Sequence, residues 1–226
     1  AAEGRGAHVL MLSGEAGIGK TRLVEDLVQW ASRQGIATAH TGCYASEGRL
    51  PYTPVMAWIR SHPLPRIADI WLSALSQLLP ELLSERPSLP RPTVLTQACQ
   101  RQHLFEALAR AILAISSPLL LAIDDLQWCD RDTLEWLHFL LRFDCNARLL
   151  LVGAYRPEEL ASDHALIPLL QALRRNGQLS EVNLSPLDQH ATHILANHVA
   201  GADIGRENAQ RLYRETEGNP LFVVET

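Results

Sequence analysis

One glycine-rich segment constrains the fold of this chain more than any other feature. Residues 14–21 read Gly-Glu-Ala-Gly-Ile-Gly-Lys-Thr, after a short apolar run and before an amphipathic stretch. Of the 20 lysine and arginine residues in the chain, only Lys20 is a lysine. A compact ammonium on a flexible stem reaches between two phosphates where a planar guanidinium is too bulky. The segment therefore predicts a phosphate-binding loop of the Walker A type, placed between a strand and a helix.

We expect this loop to bind the phosphates of a nucleotide. Glycines let backbone N–H groups turn inward without a Cβ in the way, and the following helix directs its positive dipole end at the anion. Lys20 is expected to bridge the β- and γ-phosphates, and the hydroxyl of Thr21 to bind Mg²⁺. The residues assigned to nucleotide binding in this segment are Gly14, Gly17, Ile18, Gly19, Lys20, Thr21 and Arg22.

Composition limits the classes of partner. The 226 residues are 47% hydrophobic and 20% charged, with a net charge of −5. An acidic chain with dispersed arginines does not suit a surface that tracks a phosphate backbone, so we predict no direct nucleic-acid binding by this stretch. No apolar run reaches the length of a membrane span, and the N-terminus lacks a signal pattern. We therefore predict a cytoplasmic protein with no membrane partner. Its four cysteines are widely spaced, which is typical of small buried residues in a reducing compartment.

Short apolar runs alternate with amphipathic stretches along the chain, which predicts an α/β fold with a doubly wound parallel sheet. One more helix is expected after Asp132, whose spacing to Glu135 fits a capping box. Strands are predicted over residues 8–13, 36–41, 119–123, 149–152 and 180–184, and helices over residues 20–33, 67–79, 93–116, 165–174, 188–199 and 207–217.

The chain divides into two predicted units. Residues 1–185 are expected to form the nucleotide-binding α/β domain, and residues 186–226 the start of a small helical lid that is cut short. Eight of the 13 prolines lie within residues 51–92, which we interpret as an insert of short helices and irregular linker. We expect the whole to be a fragment of a larger protein.

Two acidic residues and an arginine complete the predicted site. Asp124 and Asp125 follow a buried strand, and ligands meet open parallel sheets at the carboxyl ends of their strands. Asp124, with Thr21, is the predicted Mg²⁺ ligand, and Asp125 is the candidate to polarise an attacking water. Arg156 follows the next strand and is expected to reach the γ-phosphate. The alternatives are a helix-capping acid pair and a surface ion pair.

Four motifs in this order resemble a known family. They are residues 14–21, the Asp-Asp-Leu-Gln-Trp-Cys-Asp stretch at 124–130, the Tyr-Arg-Pro at 155–157 and the Gly-Asn-Pro-Leu-Phe at 218–222. Together they resemble the ATPase domain of the large ATP-binding LuxR-type (maltose-activator-like) transcriptional regulators, a STAND-class domain within the AAA+ group. The resemblance implies a P-loop NTPase fold with ATP or ADP and Mg²⁺ as cofactors. It also implies that Arg156 is the sensor arginine, that Pro220 approaches the adenine from the lid, and that Trp128 packs beneath the acidic loop.

We predict a nucleotide-operated switch with slow Mg²⁺-dependent ATP hydrolysis. The second acid is Asp125 where vigorous AAA+ motors usually carry glutamate, and no arginine finger can be recognised. The expected partners are the nucleotide and output domains outside this stretch, a DNA-binding domain among the candidates, with nucleotide-dependent oligomerisation as a further option. The alternatives are a P-loop motor or a small-molecule kinase in which turnover is the output, or the same module regulating an adenylate cyclase or a kinase.

Overall fold

A five-stranded parallel sheet forms the centre of the molecule in the computed structural model, which describes residues 6–45, 50–63, 66–92 and 96–226. The order of the strands across the sheet is β2-β3-β4-β1-β5, and every neighbouring pair is parallel. This confirms the predicted α/β class. The strands are β1 (His8–Ser13), β2 (Ala37–Gly42), β3 (Leu119–Asp124), β4 (Leu149–Tyr155) and β5 (Leu179–Asn183).

Helices cover both faces of this sheet, as a doubly wound fold requires. They are α1 (Lys20–Arg33), α2 (Thr53–Arg60), α3 (Asp69–Leu75), α4 (Glu81–Glu85), α5 (Gln97–Leu113), α6 (Arg131–Phe143), α7 (Leu166–Arg175), α8 (Gln189–Ala200), α9 (Arg206–Thr216) and α10 (Pro220–Glu225). Two short 3₁₀ helices, Leu126–Trp128 and Pro157–Glu159, follow β3 and β4.

Two apolar cores lie on opposite faces of the sheet. The smaller one joins α1 to the sheet through Val24 and Ala31, and the larger one joins α2, α3, α5, α6 and α7 to the other face. Residues of β1 alternate between them, since Met11 belongs to the larger core and Leu12 to the smaller. All six residues of β3 are buried, which explains why its first five residues form an unbroken apolar run rather than an alternating pattern.

Strand order brings three predicted site elements to one edge. β4 lies between β1 and β3, with Ser13 opposite Tyr155 and Ile123 opposite Gly153. Since the three strands are parallel, the loops that follow them leave the sheet at the same edge. Those loops carry the glycine-rich segment, the acid pair and Arg156.

The proline-rich insert is more ordered than its composition indicates. Its described residues form α2, α3 and α4, and the helix predicted over residues 67–79 is the shorter α3. Trp58 of α2 is fully buried, and its indole N–H donates to the carbonyl of Ala122 at 3.2 Å. The insert is therefore part of the main core.

One predicted helix cap is wrong. Helix α6 begins at Arg131, and its N-cap is Asp130, whose carboxylate accepts the backbone N–H of Thr133 at 2.8 Å. Asp132 lies inside the first turn, where its carboxylate pairs with Arg101 of α5. The hydroxyl of fully buried Thr133 also donates to Asp130, at 2.5 Å. Thr133 therefore makes two hydrogen bonds to Asp130, which favours Asp130 over Asp132 as the N-cap.

Several other boundaries differ slightly from the predictions. Strand β4 runs beyond the apolar run to Tyr155, so that Arg156 directly follows the strand as predicted, and β2 begins one residue later than predicted. The predicted helix over residues 93–116 is α5, and residues 93–95 of that prediction lie outside the described residues.

Burial of the cysteines was predicted correctly for only two of them. Cys43 and Cys129 are buried, whereas Cys99 and Cys145 are exposed, and all four are free thiols. A hydrogen bond with Cys43, and then burial, raise the pKa of the Cys129 thiol.

Beyond β5 the chain forms only helices. Helices α8, α9 and α10 pack against one another in the region predicted to be a lid. The division into two domains stays a prediction. In the part of the chain that the structure describes, no helix has the length and apolar character needed to cross a membrane.

Candidate functional site

The glycine-rich loop connects β1 to α1 as predicted. Gly17 and Gly19 have φ angles of 75° and 99°, in the left-handed region that L side chains rarely adopt. Gly19 is the N-cap of α1 and offers no capping side chain, so the first N–H groups of the helix face the loop without a side-chain partner. This is the backbone arrangement that binds phosphates at helix N-termini.

The ammonium of Lys20 lies inside the loop. Its side chain is buried, and Nζ donates to the backbone carbonyls of Gly14 and Glu15, each at 2.7 Å. Burial lowers the pKa of Lys20, and the nearby positive charge of Arg156 lowers it further. An ammonium has three donors, so one remains for a further acceptor. Both loop bonds hold the charge where an incoming anion would need it.

Thr21 and Asp124 are in direct contact across the sheet edge. The hydroxyl of Thr21 donates to Oδ2 of Asp124, and Oδ1 of Asp124 accepts the backbone N–H of Asp125 at 2.9 Å. Asp124 is buried. A hydroxyl and a carboxylate are the oxygen ligands that Mg²⁺ takes, and Mg²⁺ usually keeps several waters and substrate phosphates besides one or two carboxylates. Within the described residues, no group of three or more His, Cys, Asp and Glu side chains could hold a metal ion.

Asp125 has an unusual backbone and an engaged side chain. Its φ of 54° lies in the left-handed region, a conformation that costs a non-glycine residue about 1–3 kcal/mol and is frequent at functional sites. Its Oδ1 accepts a hydrogen bond from Nε2 of Gln127 at 2.8 Å and lies 3.5 Å from Nη2 of Arg156. The side chain is 25% exposed, so its carboxylate is partly accessible to solvent.

Arg156 makes contacts on three sides. Nη1 pairs with Glu159 at 2.6 Å, Nη2 faces Asp125, and the guanidinium carbon lies 5.3 Å from the ring centre of Trp128. Nε is buried and has no hydrogen-bond partner among the described residues. The structure thus brings Arg156 to Asp125 and to the vicinity of Lys20, and also forms the ion pair that was the alternative interpretation. Trp128 is half-buried, and its ring lies beside the guanidinium of Arg156; its expected packing beneath the acidic loop stays a prediction.

Gln127 connects the acid to the arginine, a role that the sequence did not reveal. Its side chain is buried; Nε2 donates to Asp125 while Oε1 accepts the backbone N–H of Arg156 at 3.2 Å. Its own carbonyl lies 3.0 Å from Nε2 of His164, and Nδ1 of His164 accepts the N–H of Leu166. Because Nδ1 is an acceptor, the ring proton belongs on Nε2, which donates to Gln127. Only the position of Gln127 within the acidic motif could have indicated this function.

The Gly-Asn-Pro stretch lies on the outside of the glycine-rich loop. Nδ2 of Asn219 donates to the carbonyl of Ala16 at 2.9 Å, and the N–H of Leu221 donates to the carbonyl of Gly17 at 3.2 Å. Pro220 lies between these two contacts. Its predicted contact with an adenine stays a prediction.

Ile18 and Arg22, both predicted to bind the nucleotide, differ in burial. The side chain of Ile18 is buried against the neighbouring structure. Arg22 is exposed and pairs with Asp26 one turn later, at 3.3 Å. The structure therefore places the first beside the loop core and the second on the surface of α1.

Comparison with known proteins identifies the family of this chain and supports its fold. Residues 1–152 match the AAA ATPase domain family. Two RuvB variants from Thermotoga maritima share the fold, at 15% and 16% identity and TM-scores of 0.52 and 0.51; they cover 96% and 97% of this chain and 52% of their own. AMPPCP-bound DnaA from Aquifex aeolicus is 14% identical, with a TM-score of 0.49, and covers 96% of this chain and 52% of its own. The chain thus spans about half the length of these proteins. No curated protein matches it in sequence.

Proposed function

Since the chain belongs to the AAA ATPase domain family, we propose that it is an ATP- and ADP-binding switch domain of a larger signalling protein. The observation that carries this proposal is the state of Asp125. Its carboxylate accepts a hydrogen bond from Gln127 and is faced by Arg156, so the candidate base of this site is already engaged. Such an arrangement suits a domain that responds to the bound nucleotide more than one that turns it over rapidly.

Nucleotide binding is assigned to the glycine-rich loop. Its backbone N–H groups and the ammonium of Lys20 would contact the phosphates, and Lys20 is already held within the loop by two carbonyls. The remaining ammonium donor is free to bond a phosphate oxygen. A doubly negative terminal phosphate would also compensate the positive charges of Lys20 and Arg156, and Arg156 lies close enough to lower the pKa of Lys20.

Thr21 and Asp124 would hold Mg²⁺. Bound there, the ion would neutralise charge between the β- and γ-phosphates. The two residues already touch, so exchange of their hydrogen bond for metal coordination needs little rearrangement of the backbone.

Arg156 is proposed to report the γ-phosphate. Its guanidinium is shared between Asp125 and Glu159, and a terminal phosphate would compete with both carboxylates for it. A phosphate that takes up the guanidinium leaves the Asp125 carboxylate with Gln127 alone. ATP and ADP would then differ in the contacts of one arginine, which is the differential affinity that a two-state switch needs.

The larger context is proposed from the order of the four motifs. That order supports a LuxR-type transcriptional regulator, in which domains outside this stretch would carry the output. Slow hydrolysis is proposed because the second acid is an aspartate already engaged by two neighbours.

The first experiment measures nucleotide binding. Lys20→Ala should weaken binding of fluorescent ADP and ATP roughly 10- to 100-fold or more, since a hydrogen bond to a charged group contributes about 1.5–3 kcal/mol. Arg33→Ala is the matched control, because it removes a cation from the exposed far end of the same helix. Equal affinity in the parent and Lys20→Ala would refute the phosphate-loop assignment.

The second experiment measures turnover. We expect the parent to hydrolyse ATP well below about 1 s⁻¹, the low end for kinases. Hydrolysis at tens per second without a partner would favour the motor, and phosphate transfer to a small molecule would favour the kinase.

A further inference from the structure

Two hydrogen bonds join the C-terminal helices to the phosphate loop. Asn219 Nδ2 donates to the carbonyl of Ala16, and the backbone N–H of Leu221 donates to the carbonyl of Gly17. The acceptors are consecutive carbonyls on one stretch of the loop. Helix α10 therefore begins directly against the outer side of the segment that is proposed to hold phosphate.

Gly17 allows this close approach. A Cβ at position 17 would lie 2.8 Å from Oδ1 of Asn219 and 2.8 Å from the Cβ of Leu221. Both distances are shorter than real Cβ contacts. Glycine is therefore needed at position 17 for two reasons: it adopts the left-handed backbone conformation, and it has no side chain that would prevent the contact with α10.

The other side of the contact is fixed as well. The N–H of Leu187 donates to the carbonyl of Gly218 at 2.9 Å, and a Cβ at Gly218 would lie 2.0 Å from the carbonyl oxygen of Leu187. Gly218, which precedes Asn219, is therefore packed directly against the segment that leaves β5, while Asn219 itself contacts the phosphate loop. A movement of the phosphate loop at Asn219 would therefore also displace Gly218 and the segment that leaves β5.

One side chain performs two tasks at this junction. Oδ1 of Asn219 caps α10 by accepting the N–H of Leu221, which it shares with the carbonyl of Gly17, while Nδ2 donates to the carbonyl of Ala16. Serine or aspartate would also cap a helix. Neither has an amide donor for the Ala16 carbonyl, so asparagine is the residue that meets both needs.

Peptide planarity links these contacts to the inner side of the loop. The carbonyl of Ala16 and the N–H of Gly17 belong to one rigid unit, as do the carbonyl of Gly17 and the N–H of Ile18. If these N–H groups rotate to meet phosphate, the carbonyls that Asn219 and Leu221 contact must rotate with them. Filling the loop would then change the geometry of the attachment of α10.

We infer that Asn219 is a positioning residue that couples the phosphate loop to the C-terminal helices. This inference rests on the proposed nucleotide binding and adds the route by which occupancy moves residues 186–226. It assigns the coupling to the amide of one side chain rather than to a contact with the base.

Spin-label distances can test the coupling. One label goes on the exposed Cys145 and a second on His198→Cys of α8, in a Cys99→Ser background that leaves only buried thiols besides. Distances are measured with no nucleotide, with ADP and with ATP plus Mg²⁺. Asn219→Ser removes the amide donor but keeps a capping hydroxyl and the net charge.

Asn208→Ser is the matched control. Asn208 lies in α9 and donates its side-chain amide to the carbonyl of Ile204 at 2.8 Å, away from the loop. The two variants therefore lose the same kind of bond at different places in the same group of helices. Unchanged thermal melting would show that both remain folded.

Without nucleotide, Asn219→Ser should raise the share of a second, displaced distance by roughly 2- to 12-fold, as expected from losing one hydrogen bond. It should also abolish the nucleotide-dependent shift that the parent and Asn208→Ser show. A parent-like distribution and shift in Asn219→Ser would overturn the inference. If the parent binds no nucleotide, the proposed function fails, but the distances without nucleotide still test the attachment of α10.

Discussion

Replacement of Gln127 by leucine would test how the acid and the arginine are positioned. Leucine is close to glutamine in size but has no polar group. The variant therefore loses the donor to Asp125 at 2.8 Å and the acceptor for the backbone N–H of Arg156 at 3.2 Å. The carbonyl of Gln127 that faces His164 is backbone and is retained.

The loss of folding free energy in Gln127→Leu depends on whether Asp125 and the Arg156 N–H can find other hydrogen-bond partners. Asp125 is 25% exposed, so water can replace the lost donor, and that term is small. The backbone N–H of Arg156 is partly buried and loses its acceptor; a buried donor without a partner costs about 1–3 kcal/mol, and we expect the lower end of that range here. For a chain of this size, each kcal/mol lowers Tm by about 2–4 °C.

Activity should fall for a separate reason. With ATP bound, Gln127 is the neighbour expected to remain on the Asp125 carboxylate, so without it the carboxylate is no longer held in position to polarise an attacking water. We expect a lower kcat for ATP hydrolysis with little change in ADP affinity, because the phosphate loop is untouched. Thermal melting, ADP titration and steady-state hydrolysis measure the three quantities.

Gln178→Leu is the control for stability alone. The side-chain amide of Gln178 donates to the carbonyls of Ala7 and Leu141, at 3.4 and 3.3 Å, near the amino ends of the strands. It should lower Tm without affecting kcat. The reasoning about Gln127 is refuted if Gln127→Leu melts lower but hydrolyses ATP at the parent rate, or if its stability does not change.

Three further predictions concern single side chains. Asp125→Asn should leave Mg²⁺–nucleotide affinity near that of the parent and lower hydrolysis by about 10²-fold or more, whereas Asp124→Asn should weaken the Mg²⁺ dependence of binding; equal loss of affinity in both variants would contradict the division of roles. Arg156→Ala should narrow the ratio of ATP to ADP affinity in titrations and spare ADP binding, and a parallel loss of both nucleotides would argue against a γ-phosphate sensor. Glu135→Gln should destabilise by less than about 1 kcal/mol at pH 7, since the carboxylate is 37% exposed and its ion pairs are screened. Hydrogen bonds from Arg131 and Arg101 lower the pKa of Glu135, so the contribution of Glu135 to stability is complete above the ordinary pKa of 4.5 and is lost as the pH falls through the lower folded pKa. The free energies of unfolding of parent and variant, measured in denaturant, should therefore converge in acid. A difference that does not change with pH would exclude the ion pairs as the cause.

Much of the fold could be predicted from local patterns. The unbroken apolar run of β3 and the helical spacing of α1 are consequences of burial on two faces and on one face, which periodicity records directly. The phosphate loop is equally local, since its glycines, lysine and threonine act within eight consecutive residues. The N-cap of α6 was less predictable. The spacing of Asp132 to Glu135 favoured Asp132, but the hydroxyl of Thr133 donates to Asp130, and the spacing rule does not include that hydrogen bond.

The candidate site was only partly predictable for the same reason. Asp124, Asp125 and Arg156 could be chosen because each follows a buried strand and such positions meet at one edge of a parallel sheet. Their partners could not be chosen. The bond from Gln127 to Arg156 spans 29 residues and depends on β3 and β4 being neighbours.

The sequence by itself therefore determined the elements, the phosphate loop and the chemistry available at the sheet edge. Tertiary structure alone decided the strand order, the engagement of Asp125 by Gln127 and Arg156, and the contact of Asn219 with Ala16 across 203 residues. The physical reason is range. Burial periodicity and backbone preference act over a few residues and can be read from the local sequence pattern. A hydrogen bond between distant segments depends instead on where packing brings those segments together.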